Sequence, residues 1–408
     1  MQRVIMANAR YWLDCLRSGP KYALLADADI RGAAKALDAV MTVSEAWTLT
    51  QSLALALHPH VERQGYWTEW DGFLKDLALV ARRKADPAVE AVLLIRRGAI
   101  QQQRGTYQAA IVSYRRAWWL CRQVSDQPGL ARALSNLGSL YRQQGCFKRA
   151  VVLCQEALAL FEALGDTMGL ARTENHLGLI YLDQGCWSKA LPHFTRSEAL
   201  SQQAGDRQGL AKTLQNLGVL HQSMGNLDTA LDYLEQAIHL HQAVGDEIHA
   251  ARTLLNVGNV YLSRDDWLQA ESAYSQAETL LSRAGDSLDL ARARHNLGMV
   301  YTHLKNWSDA EACFERALER WRSLENPWNL ANTLGELAGS YLSSGRWSKA
   351  QACLDEAWKL VGERRETHFS SLQCELTERR QELRRLTGRE SHESEVGPEE
   401  NPGPTSPI

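Results

Sequence analysis

Apolar residues in this chain recur at helical spacing, and the helical stretches themselves recur. Leu134, Leu137, Leu140 and Tyr141 fall on one helical face, and Ala150, Leu153, Cys154, Ala157 and Leu158 form another. Gly145 stands between them, where a glycine ends a helix with no penalty for positive φ. The phrase returns every forty residues: LARALSNLGSLYRQQGCFKRA begins at Leu130, LARTENHLGLIYLDQGCWSKA at Leu170 and LAKTLQNLGVLHQSMGNLDTA at Leu210. A second break closes each copy. It reads Gly-Asp at 165, 205, 245 and 285, with Ser125-Asp126 and Asn326-Pro327 in the same place. An aspartate after the glycine is placed to cap the next helix. The predicted unit is two antiparallel helices joined by a short turn.

Seven clear copies share this register. A small residue recurs at Gly98, Gly138, Gly178, Gly218, Gly258, Gly298 and Ala338, and an aromatic follows at Tyr141, Tyr181, Tyr261, Tyr301 and Tyr341. Gln101 and His221 depart from that aromatic position. Alanine recurs from 110 to 350 in steps of forty, and again from 117 to 357, with Ser197 as the variant. Gly65 and Trp67 extend the register backwards, so residues 50–88 read as a degraded eighth copy. Small residues at fixed facing positions let two helix backbones approach closely, and a large neighbour fills the adjoining hole. Tyr107, Phe147, Trp187, Trp267, Trp307 and Trp347 open the second helices in one phase, which predicts core packing rather than a stacking surface for a ligand. No unit buries its apolar face alone, so the units must stack.

The pattern Leu-Gly-x-x-Tyr, then Ala, then an aromatic or Leu, then Ala resembles the tetratricopeptide repeat. The forty-residue period with Gly-Asp between units is similar to its longer variant, found in Pins-type adaptors and in bacterial regulators. The resemblance covers residues 50–362 and implies an all-α fold, a right-handed superhelical solenoid of antiparallel helix pairs. It also implies that the first helix of each pair lines the concave wall, where matching positions hold peptides. Two stripes on that helix fit this role. Asn136, Asn216, Asn256 and Asn296 precede the small residue by two, with His176, Arg96 and Glu336 as departures. Four residues earlier stand Arg132, Arg172, Lys212, Arg252 and Arg292, with Asn332 last. Spacing of i and i+4 puts both sets on one face. An amide both donates and accepts, so such a ladder can grip an extended chain without reading its sequence, and the cations beside it favour carboxylates. A structural role stays open: the arginines could pair with Asp166, Asp206, Asp246 or Asp286, and the asparagines could bond a neighbouring unit.

The flanks depart from the period. Residues 1–49 read as two amphipathic helices that cap the array, and the segment is similar to the stretch preceding the repeats in signal-transducing ATPases of the NB-ARC class. No G-x-x-x-x-G-K-[ST] motif accompanies it. Residues 363–388 carry a narrow stripe of Phe369, Leu372, Leu376 and Leu383, as expected of a capping helix. Residues 389–408 are acidic and proline-rich, and are expected to be disordered.

Composition then excludes more than it adds. With 408 residues, 45% hydrophobic and a formal net charge of -3, the chain can bury a core but lacks the basic excess of a nucleic-acid binder. The start has no signal-peptide h-region and no apolar run spans a membrane, so a cytoplasmic location is expected. Of the eight cysteines, Cys146 and Cys186 lie forty apart, as do Cys313 and Cys353, which leaves cross-linking open; reduced thiols are the expectation. His239 and His241 must point to different sides of one helix, and His58 and His60 lack an acidic partner at ligand spacing. Asp27 to Asp38 brushes a calcium-loop pattern but carries Arg31 at a ligand position. No catalytic set, metal site or cofactor is expected. The expected function is a non-enzymatic scaffold that binds an extended, acidic protein or peptide segment in its groove. The alternative is a sensor arm controlling a partner ATPase or transcription regulator, and an enzyme with a composite site is a third reading. Self-association is possible, with the Trp-rich segment 50–88 as the surface.

Overall fold

A computed structural model of the chain describes residues 1–18, 27–64, 67–284, 287–362 and 369–388. Gly65, Gly285-Asp286 and the tail 389–408 lie outside the described residues, as does the side chain of Trp67. The described residues form nineteen α-helices, with no strand among them. Four come first: α1 (Gln2–Ser18), α2 (Asp27–Met41), α3 (Trp47–Gln64) and α4 (Trp67–Arg83). The repeat helices follow: α5 (Pro87–Gln103) with α6 (Tyr107–Gln123), α7 (Gln127–Gln143) with α8 (Phe147–Leu164), and α9 (Thr167–Asp183) with α10 (Trp187–Gln203). The series continues as α11 (Arg207–Ser223) with α12 (Leu227–Ala243), then α13 (Glu247–Leu262) and α14 (Trp267–Ala284). The last pairs are α15 (Ser287–His303) with α16 (Trp307–Ser323), and α17 (Pro327–Ser343) with α18 (Trp347–Val361), before α19 (Ser370–Leu386).

The chain divides into two compact units, Met1–Arg264 and Asp265–Ile408, with the boundary in the turn between α13 and α14. In the first unit α1, α2 and α3 pack on one another through Ala9, Leu13, Ala33, Leu37, Leu53 and Leu57. The calcium-like stretch falls wholly inside α2, so it forms helix and not a loop. The degraded copy is looser than the pairs after it. Helix α3 packs chiefly on α1 and α2, and α4 on α5; Trp70 Nε1 donates to His58 Nδ1 at 2.9 Å where α3 meets α4. From α5 onward the first unit stacks the antiparallel pairs α5/α6, α7/α8, α9/α10 and α11/α12 and then α13, and the second stacks α14 and the pairs α15/α16 and α17/α18, each element packed on the next.

Both turns of a repeat are built from the residues the periodicity marks. Asp86, Asp126, Asp166, Asp206 and Asp246 each accept the backbone N–H three residues on, at 2.8 to 3.1 Å, and Asn326 does the same. The residue before each of these takes the left-handed conformation, as Gly165, Gly205 and Gly245 do; Ala85, Ser125 and Glu325 adopt it without being glycine.

The recurring small residue meets the side chain sixteen positions later. A Cβ on Gly138 would lie 2.4 Å from Cys154 Sγ, on Gly178 2.6 Å from the Phe194 ring, and on Gly298 2.7 Å from that of Phe314. Gly98 faces Tyr114 and Gly218 faces Leu234 in the same way. Helices of a pair therefore close to the distance that only a missing side chain allows, and the knobs Tyr114, Cys154, Phe194, Leu234 and Phe314 are all buried. The alanines at 110, 150, 190, 230, 270, 310 and 350 are all fully buried. Ser197 departs from alanine yet is equally buried, because its hydroxyl donates to Ala171 O at 2.8 Å and meets Thr213 at 2.9 Å.

The aromatic series at the start of the second helices packs less deeply than expected. Trp187 is 41% exposed, Trp347 43% and Tyr107 38%, while Phe147, Trp267 and Trp307 are half-buried. The first residue of a helix stands at the rim of its pair, so its ring covers an edge and leaves one face to solvent. His239 and His241 diverge as anticipated: His239 is exposed and His241 wholly buried.

Replacing Gly178 with Ala pushes a methyl into the Phe194 ring, and this overpacking should cost about 1–3 kcal/mol in urea unfolding despite alanine's better helix propensity. Adding Phe194→Leu recreates the pairing of Ala338 with Leu354 and should recover part of the loss. A second expectation concerns acid. His241 stacks on His249, which binds Asp246, and both ring nitrogens of His241 lack a hydrogen-bond partner. Burial, followed by the His249 charge, lowers His241 to about 4 against an opposing pull from Asp246, with Lys212 adding least. The unfolded chain takes up this proton near 6.5, so stability should fall as pH drops from about 6.5 towards 4. His241→Phe, matching Phe161 forty times two residues earlier in the register, should flatten the melting-temperature profile in that window. An unchanged slope would refute the assignment.

Candidate functional site

The sequence-predicted site residues all lie on the first helices: Arg132 and Asn136 on α7, Arg172 and His176 on α9, Lys212 and Asn216 on α11, Arg252 and Asn256 on α13, Arg292 and Asn296 on α15. Across repeats the first helices approach one another directly: α5 meets α7, α7 meets α9, α9 meets α11 and α11 meets α13 in the first unit, and α15 meets α17 in the second. Second helices approach their successors less closely. Each stack therefore bends with its first helices on the inner side, which is the side that carries the two stripes.

Within that face the residues divide by what they already hold. Arg132 and Arg172 are exposed, Lys212, Asn136 and Asn256 are half-buried, and among the described residues none of these five makes a hydrogen bond or ion pair inside the protein. The others are engaged. His176 Nδ1 lies 3.1 Å from Ser135 Oγ, Asn216 Nδ2 donates to Asn175 Oδ1 at 2.9 Å, and Asn296 hydrogen-bonds the Tyr274 phenol. Arg292 pairs with Asp289 at 3.0 Å, and Arg252 also has a partner in the protein. The aspartates after the glycines serve as helix caps, and Asp166 and Asp206 form no ion pair with the arginine stripe among the described residues. Asp286 lies outside the described residues.

Electrostatics on this face favour anions at its centre. Burial lowers His176 to about 3, and the cations Arg172, Arg142 and Lys212 push the same way. The imidazole is thus neutral; of these cations Arg142 is paired with Asp183, while Arg172 and Lys212 are unpaired among the described residues. In the second unit Glu336, which departs from the asparagine stripe, is matched by Arg379 of α19 at 2.6 Å.

Sequence reasoning missed a seam directly beneath the stripes. One residue before the asparagine position stand Ser135, Asn175, Gln215 and His295, and each bonds the next first helix or the one before. Ser135 meets Thr173 at 2.9 Å, Gln215 accepts from Thr253 at 3.1 Å, and His295 meets Thr333 at 3.0 Å. The signal was available: this register position, directly before the asparagine stripe, is polar in four of the seven copies. No group of three or more His, Cys, Asp or Glu side chains able to hold a metal occurs among the described residues. All eight cysteines are free thiols, and burial raises Cys121 and Cys154 to about 12.

A stack of antiparallel helix pairs with a polar, partly unsatisfied inner face defines a helical-repeat binding protein. The chain belongs to the tetratricopeptide repeat family: its model matches residues 89–163, 169–243, 249–323 and 289–361. Its repeats make it a protein–protein interaction scaffold, in a family that is typically non-catalytic and binds protein or peptide partners. A comparison with curated protein sequences gives no match. Among solved structures, the chain is similar to a signal-transduction ATPase with numerous domains carrying a tetratricopeptide repeat sensor, from Pyrococcus horikoshii. The TM-score is 0.62 at 15% identity, over 96% of this chain and 60% of that one. It is also similar to a Rap protein complexed with competence and sporulation factor, with TM-score 0.59 at 15% identity over 92% and 99% of the two chains. Aspartyl phosphate phosphatase F from Bacillus subtilis gives 0.54 at 14% identity, over 87% and 93%. At these identities the likeness is one of fold. Among the described residues no helix is long and apolar enough to cross a membrane.

Proposed function

We propose that the inner face of the first unit binds an extended, acidic segment of a partner protein. The observation that carries this reading is the set Arg132, Arg172, Lys212, Asn136 and Asn256: cations and amides that the protein itself leaves unbonded, on the side towards which the stack bends. The amides supply donors and acceptors for a main chain, and the cations offset the charge of acidic side chains. Arg252 in the same unit, and Arg292 and Asn296 in the second unit, are held by intramolecular partners, so they contribute less. The protein acts without a cofactor or metal, from the cytoplasm, and its partner is a protein and neither nucleic acid nor membrane.

A second reading, a sensor arm that controls a nucleotide-binding partner, draws on the span of the fold likeness. The match to the sensor-bearing ATPase takes in 96% of this chain, so it includes helices that precede the regular repeats. Co-purification of the tagged full chain with a nucleotide-binding protein, lost on adding nucleotide, supports that reading; recovery of partners without any such protein removes it.

Asn136→Ala with Asn256→Ala should weaken binding of a fluorescein-labelled glutamate-rich dodecapeptide by about tenfold or more, one tenfold step corresponding to ~1.4 kcal/mol. Neither side chain has a bond in the protein to lose, so helicity and melting temperature should stay unchanged. Arg172→Ala with Lys212→Ala should weaken the same peptide more at low salt than at high, because these charges face solvent. Equal affinity of the variants and the native chain would overturn the groove assignment.

A further inference from the structure

The seam and the asparagine stripe meet at one place. Asn216 on α11 donates to Asn175 on α9 across the repeat boundary, at 2.9 Å. Asn175 occupies the register position held elsewhere by Ile95, Ser135, Gln215, Leu255, His295 and Gly335; Gln215, followed by Asn256, is the one other amide in this position, and its oxygen accepts from Thr253 instead. An amide has two N–H donors and an oxygen with two lone pairs. After the single bond between them, Asn175 keeps both donors of Nδ2, while Asn216 keeps its oxygen and one N–H. None of these remaining atoms has a partner in the protein, and none is buried away from solvent.

Resting on the groove reading above, we infer that Asn175 and Asn216 form one composite main-chain reader, in which Asn175 Nδ2 donates to a carbonyl of the bound segment and Asn216 Oδ1 accepts an N–H. The bond between the two side chains fixes both amides before a ligand arrives. Ordering two rotamers on binding is thereby avoided, and preorganisation of this kind raises affinity without adding contacts. A lone Asn136 or Asn256 must give up its rotamer freedom when it grips. The pair also fixes the position of an acidic side chain. Arg172 lies three residues before Asn175 on α9, and Lys212 four before Asn216 on α11, so each cation stands one helical turn from the pair on the same face. Both act on the His176 between them. A segment held by the amides accordingly presents its neighbouring side chain to two cations from adjacent repeats. The composite site recognises a peptide unit next to a carboxylate, which sets the register of the ligand along the groove.

The test is a double-mutant cycle on the full chain, with two labelled dodecapeptides: one glutamate-rich and one in which glutamine replaces every glutamate. Asn175→Ala and Asn216→Ala should each weaken both peptides by about tenfold, and the double variant by little more than either single one, because the pair acts as a unit. Arg172→Ala with Lys212→Ala should weaken only the glutamate peptide. Multiplied effects of the two asparagine changes overturn the composite reader in favour of independent grips. A lower melting temperature for Asn175→Ala with unaltered affinity makes the bond a staple between repeats, and also overturns it. In both cases a loss of binding in the Asn136 and Asn256 variant leaves the groove reading standing. Failure of the native chain to bind the glutamate peptide removes the groove reading and this inference together.

Discussion

The architecture depends on how closely the two helices of a pair can approach. Gly98, Gly138, Gly178, Gly218 and Gly298 each place bare backbone against a side chain sixteen residues on, and that side chain ranges from Cys154 to Tyr114. The contact fixes the distance between helices while leaving the knob variable in size. Everything else follows from the pair being a constant building block. Pairs of constant shape stack with a constant offset, and a constant offset repeats the same inner surface from one copy to the next. A stack of this kind has no single core, because each pair is stabilised by its own contact and by its neighbours.

Most of this was legible in the sequence because both the cause and its effect repeat every forty residues. The alanines, five of the facing glycines and the aspartates from Asp126 to Asp246 were identified by register, and each proved buried, closely packed or bonded where the register put it. Two features resisted. The aromatic series from Tyr107 to Trp347 keeps its phase yet stays at the rim, since periodicity reports which face a residue occupies and not how far the neighbouring pair extends over it. The looseness of α3 against α4 escaped as well, because a degraded copy retains the spacing of its apolar residues after the close contact that gave the spacing its purpose has weakened.

The candidate site was legible in position but not in occupancy. Spacing placed the arginine and asparagine stripes on one face, and all ten residues lie on first helices. It could not say which of them the protein would use for itself. Ser135, Asn175, Gln215 and His295 lie one residue away from the stripe, where a half-buried polar group on one first helix meets its counterpart on the next. Buried polar groups need partners, and the neighbouring repeat is the nearest supply. Binding and stacking therefore draw on adjoining positions of one helix, and Asn216 stands where the two demands coincide.

The turns add a mechanical consequence. From Gly145 to Gly245 the six successive turns all put glycine in the left-handed conformation, whereas Ala85, Ser125, Asp265, Lys305 and Glu325 take it with a side chain attached, at about 1 kcal/mol or more each. The stretch α7 to α13 is therefore relaxed at every corner, and the intramolecular tension of the backbone is displaced to either side of it. The helices bearing Arg172, His176, Lys212 and Asn216 are thus joined by corners that carry no left-handed strain.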